Sequence, residues 1–256
     1  MEGSERRFEG KTAVVTGAAS GMGLLFSECF LKEGGSVVMA DFNEEALTEK
    51  AGTLEERFPG RVLGVLTDVR NYESVVNVRE KALEAFGRID VLVNFAGGTA
   101  RRVLKVPGDL EFPDVPIEVF DWGLDVNLKG PFYMDHAVLK AMREQRSGVI
   151  VNIGSVTGID GDPKGMDYPT AKAGLMFGLT RSVAQYGAQY GIRCVCISPG
   201  PVLTREAMSK MKTMLGRAAE PQEVVDLVLY VISDKGAFIT GENIMIDGGR
   251  SVMKRS

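Results

Sequence analysis

Short runs of β-branched residues alternate with helix-length amphipathic segments along the whole of this 256-residue chain. Residues 12–16 (TAVVT), 36–40 (SVVMA), 62–66, 91–94, 149–153 (VIVNI) and 193–198 (RCVCIS) read as strands buried on both faces, and 243–246 as a last strand. Between them, residues 21–33, 44–57, 72–86, 117–144, 165–190 and 221–233 have helix length. Strand and helix in alternation, with short connections, demand a parallel sheet covered by helices on both faces, because each parallel return needs a right-handed crossover. The expected fold class is therefore α/β, with seven parallel strands in a doubly wound sheet. No repeat, low-complexity tract or linker-like shift divides the chain, so 1–256 reads as a single domain.

Two connections break the rhythm. Residues 97–116 and 201–220 are long for strand-helix loops and rich in Pro, Gly and charge. Both follow predicted strand ends, where open α/β sheets bind ligands, so they are expected to wall a substrate site. Composition narrows the partners. Thirty basic side chains against 34 acidic ones, with no basic block, argue against nucleic acid or an anionic membrane. Cys29, Cys194 and Cys196 cannot form an even disulfide framework, and with His136 as the one histidine they lack zinc-site spacing. No metal is expected, and a reducing, cytoplasmic setting fits. The first residues contain no apolar signal region, and no apolar run approaches the roughly 18 residues of a bilayer span. His136 lies mid-helix and reads as structural or surface-bound, which removes a hydrolase triad from consideration.

Glycine is over-represented, at 31 residues, and three of them fall in one connection. Residues 16–23 (TGAASGMG) join the first predicted strand to the first helix. Gly17, Gly21 and Gly23 let the backbone turn sharply and approach a ligand, with the N–H groups of a helix start aimed at an anion such as a pyrophosphate. The alternative is a turn built only for tight packing. A dinucleotide also needs a carboxylate at the end of the second strand for the ribose hydroxyls, and Asp41 sits there. Neither Ser20 nor Phe42 supplies a cation for the extra phosphate of NADP, so NAD is the expected cofactor. Asp41 as a solvated loop acid or helix cap is the other reading.

The glycine spacing, Gly17-x-x-x-Gly21-x-Gly23, resembles that of the short-chain dehydrogenase/reductase family, and the resemblance runs from Gly10 to Gly249. It implies a single-domain Rossmann fold and a nicotinamide cofactor. Asp68 and Val69 match the family's adenine contact; Asn94, Ala96 and Gly97 match its Asn-Asn-Ala-Gly run, with Phe95 departing from it. Asn127, Ser155, Tyr168 and Lys172 match the catalytic positions. Pro199, Gly200, Val202 and Thr204 match the stretch that holds the nicotinamide carboxamide; Ser20, Met22 and Phe42 complete the implied cofactor contacts, together with Tyr168 and Lys172. A homotetramer or homodimer, formed through the helices that carry Asn127 and Tyr168, is implied as well.

The proton chemistry also follows from spacing. Tyr168 and Lys172 are four apart, so on a helix the phenol and ammonium share a face. A neighbouring cation favours phenolate and is expected to lower a pKa that starts near ~10. Pro169 must then occupy the helix's first turn. Ser155, after a strand, is placed to hold the substrate oxygen, and Asn127 interrupts a long helix where, as in the family, it holds a water linked to Lys172. A turn serine, a polar helix residue and an exposed helix pair are the plain alternatives.

These residues point to hydride transfer between NAD(H) and a secondary alcohol or ketone, with the substrate expected among polyols, sugars or sugar acids. Rivals are a 3-oxoacyl thioester reductase, a steroid or bile-acid alcohol dehydrogenase, and a catalytically silent NAD-sensing or scaffold protein. Arg101, Arg102 and Arg205 lie in the two ligand-side connections as candidate clamps for a substrate carboxylate. Met208, Met211 and Met214 are either pocket lining or a helical stripe.

Overall fold

The β-branched runs form the strands they predict. In a computed structural model that describes residues 6–253, they are β1 (Thr12–Thr16), β2 (Ser36–Asp41), β3 (Val62–Leu66), β4 (Val91–Asn94), β5 (Gly148–Ile153), β6 (Ile192–Pro199) and β7 (Asn243–Ile246). All pair in parallel in the order β3-β2-β1-β4-β5-β6-β7, the doubly wound sheet expected. The helices are α1 (Gly21–Lys32), α2 (Glu44–Arg57), α3 (Tyr72–Phe86), α4 (Ala100–Val103), α5 (Ile117–Leu124), α6 (Gly130–Gln145), α7 (Thr157–Asp160), α8 (Asp167–Ala173), α9 (Thr180–Gly187) and α10 (Pro221–Ile232). One apolar layer, around Phe26, Phe30, Val15, Val195 and Leu229, fills one face of the sheet; another, around Val14, Val75, Leu92, Met134 and Ile150, fills the other.

Burial on both faces holds for the central strands and fails at the edges. In β3, Gly64 and Leu66 are exposed, and no residue of β7 is fully buried. Edge strands have a neighbour on one side only, so the helices cover them incompletely. Cys194 and Cys196 are buried on β6 as small core residues, and exposed His136 meets the Tyr72 hydroxyl through Nδ1 at 2.6 Å.

The helix expected over 117–144 is broken where Asn127 stands. Residues Asp125–Lys129 form a π-helical turn between α5 and α6. Pro131 carries no N–H and so cannot serve the Asn127 carbonyl four residues back, while the Asn127 side-chain amide donates to the Gly123 carbonyl at 2.8 Å. A second π turn, Gly174–Leu179, joins α8 to α9, and the Thr180 hydroxyl there donates to the Leu175 carbonyl at 2.8 Å. In both turns a side chain takes up a carbonyl that the altered winding would strand.

Behind the sheet, α6 places Asp135 in a fully apolar layer. Its carboxylate accepts from the Asn94 amide at 2.8 Å and the Asn152 amide at 3.2 Å, while Asn94 Oδ1 is buried without a partner. Burial pushes the Asp135 carboxyl up to about 7, against the two amide hydrogen bonds. A carboxyl raised above its unfolded value stabilises the fold below that unfolded value and loses the contribution as pH rises through about 7. Asp135→Asn should therefore raise stability at pH 8 by about 2 kcal/mol, after the loss of one charge-assisted hydrogen bond, and give no gain at pH 4. Thermal melts of both proteins at the two pH values measure the difference.

Candidate active site

The sheet order reverses between β1 and β4, and a cleft of about 780 Å³ opens above their carboxyl ends. It is lined by Gly17, Ser20, Gly21, Met22, Gly23, Asp41, Phe42, Asp68, Val69, Ala96 and Gly97, which brings together eleven residues widely separated in sequence. The glycine loop is shaped for close approach. A Cβ on Gly23 would stand 2.2 Å from the Gly17 carbonyl oxygen, and Gly21 has φ +54° with open space where a side chain would be. Asp41 ends β2, with one carboxylate oxygen accepting from Ala19 N at 2.9 Å and the other from Asn43 N at 3.0 Å. It is not the cap of α2: Asn43 is, accepting from Ala46 N at 3.1 Å. The loop N–H groups therefore fix the acid at the cleft edge, with lone pairs remaining for sugar hydroxyls. These dimensions and donors fit a dinucleotide, with a pyrophosphate at the α1 start and a ribose at Asp41.

At the inner end of the cleft the catalytic candidates meet. A Cβ on Gly97 would lie 2.8 Å from Asn127 Oδ1 and 3.4 Å from Lys172 Nζ. Lys172 is buried, donates to the Ile153 carbonyl at 2.7 Å and lies 5.6 Å from the centre of the Tyr168 ring. Burial lowers its ammonium to about 8. Pro169 falls in the first turn of α8, as its missing N–H requires. The Ser155 hydroxyl donates to Thr157 Oγ1 at 3.1 Å and accepts from Thr157 N at 3.2 Å, and it works to lower the Tyr168 phenol.

The phenol itself corrects an expectation. Burial raises the Tyr168 pKa above its ordinary value, and this outweighs the opposing Ser155 hydrogen bond and the charges of Arg205 and Arg102. Spacing alone exposes the cation and conceals the desolvation. The Asn127 amide donates to Gly98 O and Gly123 O, and its Oδ1 accepts from Gly98 N, at 2.8–2.9 Å.

Besides Tyr168 and Lys172, five cofactor candidates stand outside the cleft lining. Asn94 turns its amide to Asp135 and Asn152, and Val202 is buried in the core beside Ala219, because both side chains lie on the sheet's packed faces. Pro199 and Gly200 continue β6 against Val156 and Asp247, and exposed Thr204 bonds back to Val202. The methionine stripe does not form, since the helical turn carrying Met208 ends at Lys210 and Met214 is exposed.

Several lining residues carry no separate signal in the sequence. Phe95 stacks at 5.9 Å on Phe26; Trp122 and Val126 project from the broken helix. Arg70 was legible as the neighbour of Asp68 and Val69, and it ion-pairs with Asp68 at 2.7 Å. Asp167 is 3% exposed, its Oδ2 is buried without a hydrogen-bond partner, and burial raises its carboxyl above the ordinary value. It fills the space left by the missing Cβ of Gly123 on α5. Its acidic position in the first turn of α8 is the signal that could have found it.

Comparison with known proteins agrees with this architecture. Residues 17–251 match the family described as Enoyl-(Acyl carrier protein) reductase. The chain is 37% identical to the 3-oxoacyl-(acyl-carrier-protein) reductase FabG of Thermotoga maritima, covering 95% of this chain and 98% of that protein. It is 32% identical to the 7alpha-hydroxysteroid dehydrogenase of Bacteroides fragilis, covering 96% of each. The crystal structure of levodione reductase superposes with a TM-score of 0.86 at 30% identity, over 97% of this chain and 100% of that one.

The buried ammonium sets a stability test. A lysine lowered to about 8 costs the fold most below pH 8, and that cost fades as pH rises toward the unfolded value near ~10.4. Lys172→Met should raise stability at pH 7 by about 2 kcal/mol, net of the lost bond to Ile153, with the gain gone by pH 10.5. Urea melts across that range read the trend.

Proposed function

This chain belongs to the short-chain dehydrogenase/reductase family, oxidoreductases acting on CH–OH and keto groups with a nicotinamide cofactor, and we propose that it uses NAD(H) on a secondary alcohol or ketone of the polyol, sugar or sugar-acid type. The observation that carries this reading is the meeting at Gly97, a lining residue of the dinucleotide-sized cleft that packs against Asn127 and Lys172. Gly17, Gly21 and Gly23 would hold the pyrophosphate, Asp41 the adenosine ribose, and Asp68 and Val69 the adenine edge. When bound, the nicotinamide supplies or accepts the hydride.

The chain's own residues handle the proton. Ser155 fixes the substrate oxygen beside the Tyr168 hydroxyl, and Tyr168 gives the proton to a ketone oxygen or takes it from an alcohol. Lys172 holds positive charge near the ring, which favours the phenolate needed for oxidation. Its way to solvent runs past the Asn127 main chain. Because burial raises the phenol, the protonated form dominates at neutral pH and suits reduction. Oxidation, which needs the deprotonated phenol, should accelerate as pH rises through the alkaline range, while reduction falls over the same range; initial rates in both directions measure this.

A fixed carboxylate at Asp41 supports NAD over NADP, because a 2′-phosphate would meet its charge, and of the two arginines lining the cleft Arg70 is already paired with Asp68 while Arg102 lies on α4 beside Gly98. The names of the acyl-carrier relatives favour a second reading, reduction of a 3-oxoacyl thioester. A panel of polyols, aldonic and uronic acids, steroids and hydroxyacyl thioesters, run with equal NAD and NADP, separates the two. Turnover confined to thioesters with NADP would establish the second.

Tyr168→Phe should reduce turnover by at least a thousandfold while NADH still quenches Trp122, the one tryptophan and part of the cleft lining. Substantial surviving activity would remove Tyr168 from the mechanism. Asp41→Ser should weaken NADH and strengthen NADPH in the same quenching titration, each by about tenfold.

A further inference from the structure

Arginines 101, 102 and 205 are alike in sequence and unlike in surroundings. Arg101 is a structural clamp: its guanidinium donates to the carbonyls of Lys164, Pro107 and Leu110 at 2.8–3.1 Å and so fastens the 97–116 connection onto itself and onto the loop before α8. Three of its five N–H donors are committed to backbone carbonyls, so it is held as part of the loop. Arg102 and Arg205 are both exposed, and neither forms an ion pair with any acid among the described residues. Arg205 has only the Met208 sulfur, at 4.0 Å.

We propose that Arg102 and Arg205 form an oxyanion-binding subsite beside Tyr168, so that the substrate is a hydroxy acid, or the corresponding oxo acid in reduction, rather than a neutral alcohol. This rests on the reading of Tyr168 as the proton-transfer group. The placement comes from the backbone. Arg101, the neighbour of Arg102 on α4, donates to the Lys164 carbonyl at 3.1 Å, so the short helix α4 is fastened to the loop that leads into the tyrosine's own helix. Arg102 lies two residues along α4 and lines the cleft, with Nη2 3.1 Å from where a Gly98 Cβ would be. Gly98 adjoins Gly97, which touches Lys172. Arg102 thus stands at the reacting end of the cleft, away from the α1 start where a pyrophosphate belongs.

Arg205 lies on the segment that leaves β6, whose Pro199 carbonyl accepts from Val156 N at 2.9 Å, next to Ser155. The charges of both arginines favour the Tyr168 phenolate. Two unneutralised guanidinium groups on the two connections that flank the reacting end suit a carboxylate or a phosphate, which arginine takes in bidentate form. A neutral polyol would leave both charges uncompensated when it closed the site to water.

The test pairs each 2-, 3- and 4-hydroxy carboxylate with its methyl ester and with the matching hydroxyalkyl phosphate. The wild-type protein should prefer the anionic member by at least tenfold in kcat/KM, with the preference falling as salt is raised. Whichever of carboxylate or phosphate is favoured identifies the oxyanion. In Arg102→Gln/Arg205→Gln, the acid-to-ester ratio should fall to near one. Equal use of acid and ester by the wild type, or a variant that loses cofactor affinity while keeping the acid preference, overturns the proposal. Calorimetric titration of the same acids and esters into NADH-saturated Tyr168→Phe reads the subsite without turnover. Acid and ester binding equally there would overturn the subsite even if the tyrosine reading stood. Preferential acid binding would support it even if that reading failed.

Discussion

The contact on which the site depends is between two pieces of backbone. Where β1 and β4 part company, Gly17 approaches so closely that a Cβ on it would lie 2.9 Å from Ala96 N. Everything in the cleft is hung from that junction. The loop after β1 turns into α1 on one side of it, and the Phe95-Ala96-Gly97 run leads to Asn127 and Lys172 on the other. A side chain at position 17 would separate the phosphate-binding half from the proton-handling half. The reversal of strand order explains why a crevice exists, and the missing Cβ explains why its two walls share one ligand.

The reacting end is assembled from groups that folding alone would not choose to bury. Lys172 and Tyr168 are both desolvated, and Asp167 beside them has a carboxylate oxygen with no partner. Each buried charge works against the stability of the fold. The Ile153 carbonyl holds the lysine in place. Gly123 makes room for that aspartate, since a Cβ there would lie 1.8 Å from its Oδ2. Such an arrangement trades stability for shifted protonation, a common pattern where chemistry is done.

Strand-helix alternation made the sheet, its order of elements and the two long connections legible before any coordinates. The glycine loop and Asp41 were legible for the same reason, because their roles are set by their distance from strand ends. What was hidden depends on direction in space. Arg101 and Arg102 are adjacent, yet consecutive helix residues point about 100° apart, and that rotation sends one to carbonyl groups and the other into the cleft. The π turns leave the apolar period almost unchanged, so only Pro131 and Thr180 hint at them. Asn94 sits in a recognisable run, but the strand's two-residue alternation turns its side chain to the far face. The raised phenol was unreadable because a sequence displays neighbours and conceals how much water they exclude.

The 97–116 connection is closed on itself by the Arg101 guanidinium and joined to the rest of the site through the Lys164 carbonyl and through Asn127, whose side chain bonds both Gly98 N and Gly98 O. It therefore behaves as a cassette. A different cover could alter which molecules are admitted while the strands, the glycine loop and the tyrosine-lysine pair stay as they are. Diversification of substrate in a scaffold of this kind requires no reinvention of its hydride chemistry, only a new cover that offers one backbone N–H and one carbonyl to the same asparagine.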